Sequence, residues 1–266
     1  MDEEEGFFYD VLKMPDGEFI PLKVRSLVGL TTLFSVYVID KELLEKVPEF
    51  HRRLKWFVRY RQKNNEYQVI EDIDEKSGIL LSLAPYKRLK KILSALLDEN
   101  EFLSAGGIRS LSKIHQKPYK IIIDGKEFGL NYQPGESNSD LFGGNSNWRG
   151  PVWMPINYLI ILALEKYHKY FHDELKVELP TNSGNMVNLK TVADDLCKRL
   201  TSIFVKNPEG TRLLNGRENS FYNKENCKDL LLFYECFHGD NCGGVGASHQ
   251  TGWTGIIAEI IRKLNF

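Results

Sequence analysis

The sequence predicts a mainly helical domain with small β-hairpins in its loops. Three observations carry this. Apolar residues recur at three- and four-residue steps in about six segments. Strand-like runs are short and gather around turn residues. Two long connections are rich in glycine and aromatic residues, as functional loops on a helical scaffold are.

Taken in order, a hairpin is expected from 6–13 and 18–22 around Pro15-Asp16-Gly17. A helix is expected over 24–38, because Val24, Leu27, Val28, Thr31, Phe34 and Val38 share a face while Leu30, Leu33 and Tyr37 fill the other. A helix apolar on most sides is buried on most sides. Leu43, Val47, Phe50, Leu54 and Phe57 predict a stripe over 43–61, with Pro48 starting a fresh helix. A pair of strands is expected from 67–72 and 79–83, and another around 119–132 turning at Asp124-Gly125. Further helices are expected over 87–97, 152–168, 188–204 and 253–264. On 188–204, Asp194 and Asp195 face Lys198 and Arg199 as outward i,i+4 pairs. No linker rich in Pro, Ser or Gly divides the chain, so 1–266 reads as a single domain.

With 266 residues the chain can bury a sizeable core. Apolar residues make up 42% and charged residues 27%, the composition of a globular protein. A net charge of −1 argues for neither nucleic acid nor a membrane as partner. The acidic start, MDEEEGFFYD, is not a signal peptide, and no apolar run approaches transmembrane length. Cys197, Cys227, Cys236 and Cys242 form no CxxC pair. Cys236 and Cys242 lie near His238 and Asp240, but the spacing fits no zinc pattern, so neither metal nor cofactor is expected. Free thiols and the absence of an Asn-x-Ser/Thr sequon point to a reducing, cytoplasmic location.

The loops say more. Residues 100–150 hold SAGGIRS, YQPGESNSD and LFGGNSNWRGP; residues 206–252 hold FYECFHGDNCGGVGASHQTGW. Gly143 and Gly144 permit close backbone approach, Trp148 and Trp153 offer flat apolar faces, and Arg149 offers a rigid fork of donors. With the amides of Asn145, Asn147 and Asn157, these suit a sugar ring and its hydroxyls. The competing reading is that both tryptophans pack a helix start with Pro151 in its first turn. In the second loop Glu235 ends an apolar run beside Tyr234, where a carboxylate can serve as general base; a surface glutamate is the plainer alternative. His238 and His249 read as structural hydrogen-bonders. Trp253 opens another helix, Glu136 either meets a ligand or caps a turn, and Arg109 anchors a loop.

NSNWRGPVWMPINYL, with FYECFHGDNCGGVGASHQTGWTG further along, resembles glycoside hydrolase family 63, from DEEEGFFYDV to TGWTGIIAEII. The longer bacterial-type members, glucosidases and mannosylglycerate hydrolases, look closer than the N-glycan glucosidases. The resemblance implies an (α/α) toroid of paired helices and inverting hydrolysis by a carboxylic acid and a carboxylate, which in inverting enzymes sit about 6.5–9.5 Å apart. It places the catalytic base at Glu235, the innermost sugar contacts at Trp148 and Arg149, and the closing tryptophan at Trp253. Gly150, Trp153, Asn157, Glu136 and His249 complete the expected substrate-binding set. The family's acid is an aspartate upstream of the segment that DEEEGFFYDV resembles; neither Asp2 nor Asp10 sits at the matching place. A toroid also needs about twice the helices read here. The expectation is therefore a partial domain, about half of such a toroid, inactive alone, with an oligosaccharide or small glycoside as ligand. Its open half-barrel face should expose an apolar patch larger than a monomer usually carries and allow self-association. A non-catalytic carbohydrate-binding remnant and a plain helical scaffold are the alternatives.

Overall fold

The computed structural model of the chain describes residues 1–64, 70–74, 78–136, 148–222 and 224–264. The expected first hairpin is present: β1 (Asp10–Lys13) pairs antiparallel with β2 (Phe19–Leu22), and Gly17 turns the corner at φ 93°. Residues 24–38 do not form one helix. Ser26 caps a single turn, α1 (Leu27–Leu30), a 3₁₀ turn comes next over Thr31–Phe34, and the chain straightens into β3 (Val36–Ile39). The β-branched Val36, Val38 and Ile39 favour extension once a strand is beside them. Leu27, Leu30, Leu33 and Val38 of this segment are buried, whereas Val28 and Tyr37 are exposed.

Next come α2 (Lys41–Lys46) and α3 (Pro48–Lys63), parted at Val47 so that Pro48 opens the second, where its missing N–H is harmless. β4 (Ile70–Asp74) and β5 (Gly78–Ser82) complete an antiparallel sheet in the order β3–β5–β4. The apolar stripe predicted on α3 is largely open. Val58 is buried, whereas Phe50, Phe57, Tyr60 and Trp56 are exposed, Trp56 by 65%. Trp56 and Tyr60 stack on each other at 5.5 Å.

After α4 (Tyr86–Leu96) the chain makes the small ribbon of β6 (Leu103–Ser104) and β7 (Gly107–Ile108). The hairpin of β8 (Tyr119–Ile123) and β9 (Lys126–Leu130) comes next, turned at Asp124 and Gly125, both left-handed. Then α5 (Met154–Phe171), the pair β10 (Lys176–Glu178) and β11 (Met186–Asn188), α6 (Leu189–Ser202) and the short α7 (Asn219–Tyr222) lead to β12 (Cys236–Phe237) and β13 (Gly244–Val245). The last predicted helix is split into α8 (Thr251–Thr254) and α9 (Ile257–Lys263).

The core is helical. On α6, Val192, Ala193, Leu196 and Leu200 are fully buried in the cluster that holds Ile160, Ile161 and Leu164 of α5 and Ile257 and Ile260 of α9. Asn188 caps α6 by accepting from the Thr191 N–H at 2.9 Å. Outside, Arg199 pairs with Asp195 as expected, but Asp194 takes Lys190 rather than Lys198. Tyr167 of α5 hydrogen-bonds Ser82 of β5 at 2.6 Å, fastening the sheet to the helices. No helix among the described residues is long and apolar enough to cross a membrane.

Removing a fully buried branched side chain leaves a cavity that this tight packing fills poorly. Leu196→Ala should lower the unfolding free energy by about 3 kcal/mol in a urea titration, with the native far-UV spectrum retained.

Candidate active site

The segment Trp148–Trp153 is held in place mainly by its backbone. Gln133 N–H donates to the Arg149 carbonyl at 2.7 Å, Gly150 N–H to Ser110 Oγ at 3.0 Å, and Ser110 N–H to the Pro151 carbonyl at 3.0 Å. Val152 and Phe237 exchange both backbone hydrogen bonds, at 2.7 and 2.9 Å, and Val152 also bridges to Arg109. Gly150 has φ 153°, and a Cβ there would meet the Gln133 carbonyl oxygen at 2.6 Å, so no larger residue fits. The helix itself starts later than expected. Trp153 is its N-cap and Pro155 occupies its first turn, so Pro151 belongs to the extended segment before it.

The tryptophans separate into roles. Trp148 and Trp153 stack face to face at 4.3 Å and 7°, and Trp253 meets Trp153 edge-on at 6.0 Å. Trp153 is buried against Cys236 and Val245. It is therefore the backing of the stack, a packing residue rather than an open platform. Trp148 is half-buried and lines a cavity of about 450 Å³. Arg149 is only 2% exposed, and burial pushes the pKa of its guanidinium down. Asn157 sits behind the stack rather than at the surface. Its Oδ1 accepts from Ile108 N–H at 2.7 Å, and its Nδ2 donates to the Ile108 and Trp153 carbonyls at 3.1 and 3.0 Å. Both amide hydrogens are used, so Asn157 is a strut and not a sugar ligand. Gly143, Gly144, Asn145 and Asn147 lie outside the described residues.

Glu235 lies one residue before the Cys236 that packs on Trp153. Its N–H donates to the Ala247 carbonyl at 2.8 Å, and Thr254 at the end of α8 donates its hydroxyl to the Tyr234 carbonyl. These bonds hold the segment that carries Glu235 beside the short helix that carries Trp253. Gly246, at φ 74°, lies against the Glu235 carboxylate: a Cβ built on it would meet Glu235 Oε2 at 2.6 Å. The same glycine donates its N–H to Glu136 Oε1 at 3.1 Å. Glu136 and Glu235, far apart in sequence, thus border one glycine. His249 is exposed, and its backbone bridges to Phe233 in parallel.

His238 and Arg109 occupy the structural places expected of them. His238 Nδ1 accepts the N–H groups of Asp240 and Asn241 at 3.2 and 3.3 Å. Arg109 is buried and donates to the carbonyls of Glu99, Leu103 and Gly239 and to Asp240 Oδ1 at 3.2 Å. Asp240 also accepts from the Tyr132 hydroxyl at 3.0 Å. Burial opposes its charge, but Tyr132, Arg109 and Lys113 outweigh that and hold its pKa below the ordinary value. Cys242 packs at Gly106 and Cys236 at Trp153, so the two thiols face different surroundings. No group of three or more His, Cys, Asp or Glu among the described residues is arranged to hold a metal ion.

Sequence reasoning missed the cavity. Its wall is Leu27 and Val28 of α1 together with Leu111 and Ile156.

A model of the glycosyl hydrolase family 63 C-terminal domain matches residues 38–202. Over 99% of its length the chain is 40% identical to an uncharacterized protein of Saccharomyces cerevisiae, of which it spans 24%. It is 26% identical, over 66% of its length, to a mannosyl-oligosaccharide glucosidase of Saccharomyces cerevisiae, and 27% identical, over 70%, to a probable mannosyl-oligosaccharide glucosidase of Schizosaccharomyces pombe. It spans 15% and 17% of those two proteins. The family match includes Glu136 and the Trp148 segment; Glu235 and Trp253 lie beyond it.

Because the Asn157 amide satisfies three backbone groups in a dry setting, Asn157→Ala should destabilise the fold by about 2–4 kcal/mol. A guanidinium chloride midpoint unchanged from the parent chain would contradict the strut assignment.

Proposed function

The chain belongs to glycosyl hydrolase family 63, and from that premise we propose that it is the base-bearing, C-terminal portion of an inverting glycosidase acting on an α-glucosidic or α-mannosidic bond. The supporting observation is the Val152–Phe237 exchange. It ties the Trp148 segment to β12, which Glu235 directly precedes, across a long stretch of intervening chain. An aromatic platform and a carboxylate on one rigid frame are what a glycosidase needs to hold a ring and direct a water at it.

In this reading the sugar lies against Trp148, with Trp253 at the other edge of the stack. Glu235 takes a proton from water as the water oxygen bonds to the anomeric carbon from the face opposite the leaving group. The glycosidic C–O bond breaks, its electron pair stays with the leaving oxygen, and an acid supplies that oxygen's proton. Glu136, bound to the Gly246 amide, holds the loop against which the Glu235 carboxylate rests. The family resemblance implies an aspartate as that acid, outside this chain. Two relatives are named as mannosyl-oligosaccharide glucosidases, which supports an oligosaccharide or small glycoside as substrate. The reaction uses no cofactor.

A substrate whose leaving group departs without a proton isolates the base. The chain should hydrolyse α-glucosyl or α-mannosyl fluoride with inversion to the β-sugar, while methyl α-glycosides stay intact. Glu235→Gln should slow fluoride release by about 10²–10⁴-fold. Equal release from both proteins would sink Glu235 as the base and favour the non-catalytic, sugar-binding reading. Hydrolysis of a methyl glycoside by the chain alone would show that the acid lies within it.

A further inference from the structure

The cavity beside Trp148 differs in chemistry from the sugar site it adjoins. Leu27, Val28, Leu111 and Ile156 give it aliphatic walls, and none of the described residues that line it carries a charge. The three hydroxyls among those residues each make a backbone hydrogen bond. Ser26 Oγ accepts from Val28 N–H at 3.3 Å, Thr31 Oγ1 donates to the Val28 carbonyl at 2.7 Å, and Ser110 Oγ accepts from Gly150 N–H at 3.0 Å. A hexose ring placed inside would lose water from several hydroxyls and find few partners, an unfavourable exchange. An alkyl or aryl group would lose nothing and gain burial. At about 450 Å³ the space falls within the range of ligand pockets. It opens to solvent at Val28, which is 55% exposed, and at Thr31.

Trp148 joins the two regions. One of its faces is covered by Trp153 at 4.3 Å, so the cavity meets its remaining face or edge. We propose that this cavity binds the apolar aglycone of an amphipathic glycoside, an alkyl or aryl group attached to the sugar that Trp148 contacts. The sugar half of the proposal rests on the glycosidase reading above; the apolar half rests only on the cavity.

The test compares hexyl and methyl α-glucosides, the corresponding α-mannosides, and 1-hexanol by isothermal titration calorimetry on the whole chain. A hexyl glycoside should bind at least about tenfold tighter than its methyl counterpart, as burial of most of an alkyl chain requires. Val28→Trp fills the mouth from an exposed position, so folding is retained, which a thermal melt checks. It should abolish the hexyl advantage and leave methyl glycoside binding unchanged. Hexyl and methyl glycosides of equal affinity, or a hexyl preference that survives Val28→Trp, overturn the proposal. Binding of 1-hexanol that Val28→Trp removes, with no binding of either methyl glycoside, retains the apolar pocket and rejects the sugar reading of Trp148.

Discussion

Val152 commits both of its backbone hydrogen bonds to Phe237 and bridges to Arg109 on its other side. Three segments far apart in the chain are joined by this one residue. Buried backbone groups must be paired, so the segments cannot separate without leaving orphaned donors and acceptors in a dry interior. Just beyond Val152 the chain enters α5, the central helix of the core. Four residues earlier stands Trp148, which fronts the cavity. The site is therefore rigid because it is continuous with the core. Arg109 extends the same logic by gathering the Glu99 and Leu103 carbonyls and Asp240 around one guanidinium.

Periodicity alone locates α3, α4, α5 and α6, because each carries its apolar stripe at helical spacing and sits between clear breaks. The same signal fails over 24–38. Leu27, Leu30, Leu33 and Val38 are all buried, yet they belong to a turn, a 3₁₀ segment and a strand. A run that is apolar on every side has no phase, so its conformation cannot be read from it, nor can the exposure of Val28 and Tyr37. On α3 the phase is right, but burial does not come with it. Periodic apolar spacing reports a face able to be covered, and Phe50 and Trp56 stay exposed.

In the loops, the tryptophans are legible as a cluster of interest, but their division of labour is not. Asn157 has the residue type of a ligand and the position of a strut, a difference set by the backbone of Ile108, 49 residues earlier. The partnership of Glu136 with Gly246 spans 110 residues and leaves no local trace. The cavity is the least legible of all, since an empty space is made by what several segments do not fill.

The tryptophan cluster also has an optical side. The chain holds four tryptophans, and three of them, Trp148, Trp153 and Trp253, touch in sequence, face to face and then edge to face. Indoles this close exchange excitation, so their near-ultraviolet dichroism and emission belong to the cluster and not to separate rings. Only Trp56, out on α3, contributes an independent and solvent-exposed signal. The protein thus carries a spectroscopic reporter built from the same rings that line its candidate site, with an internal reference on another helix.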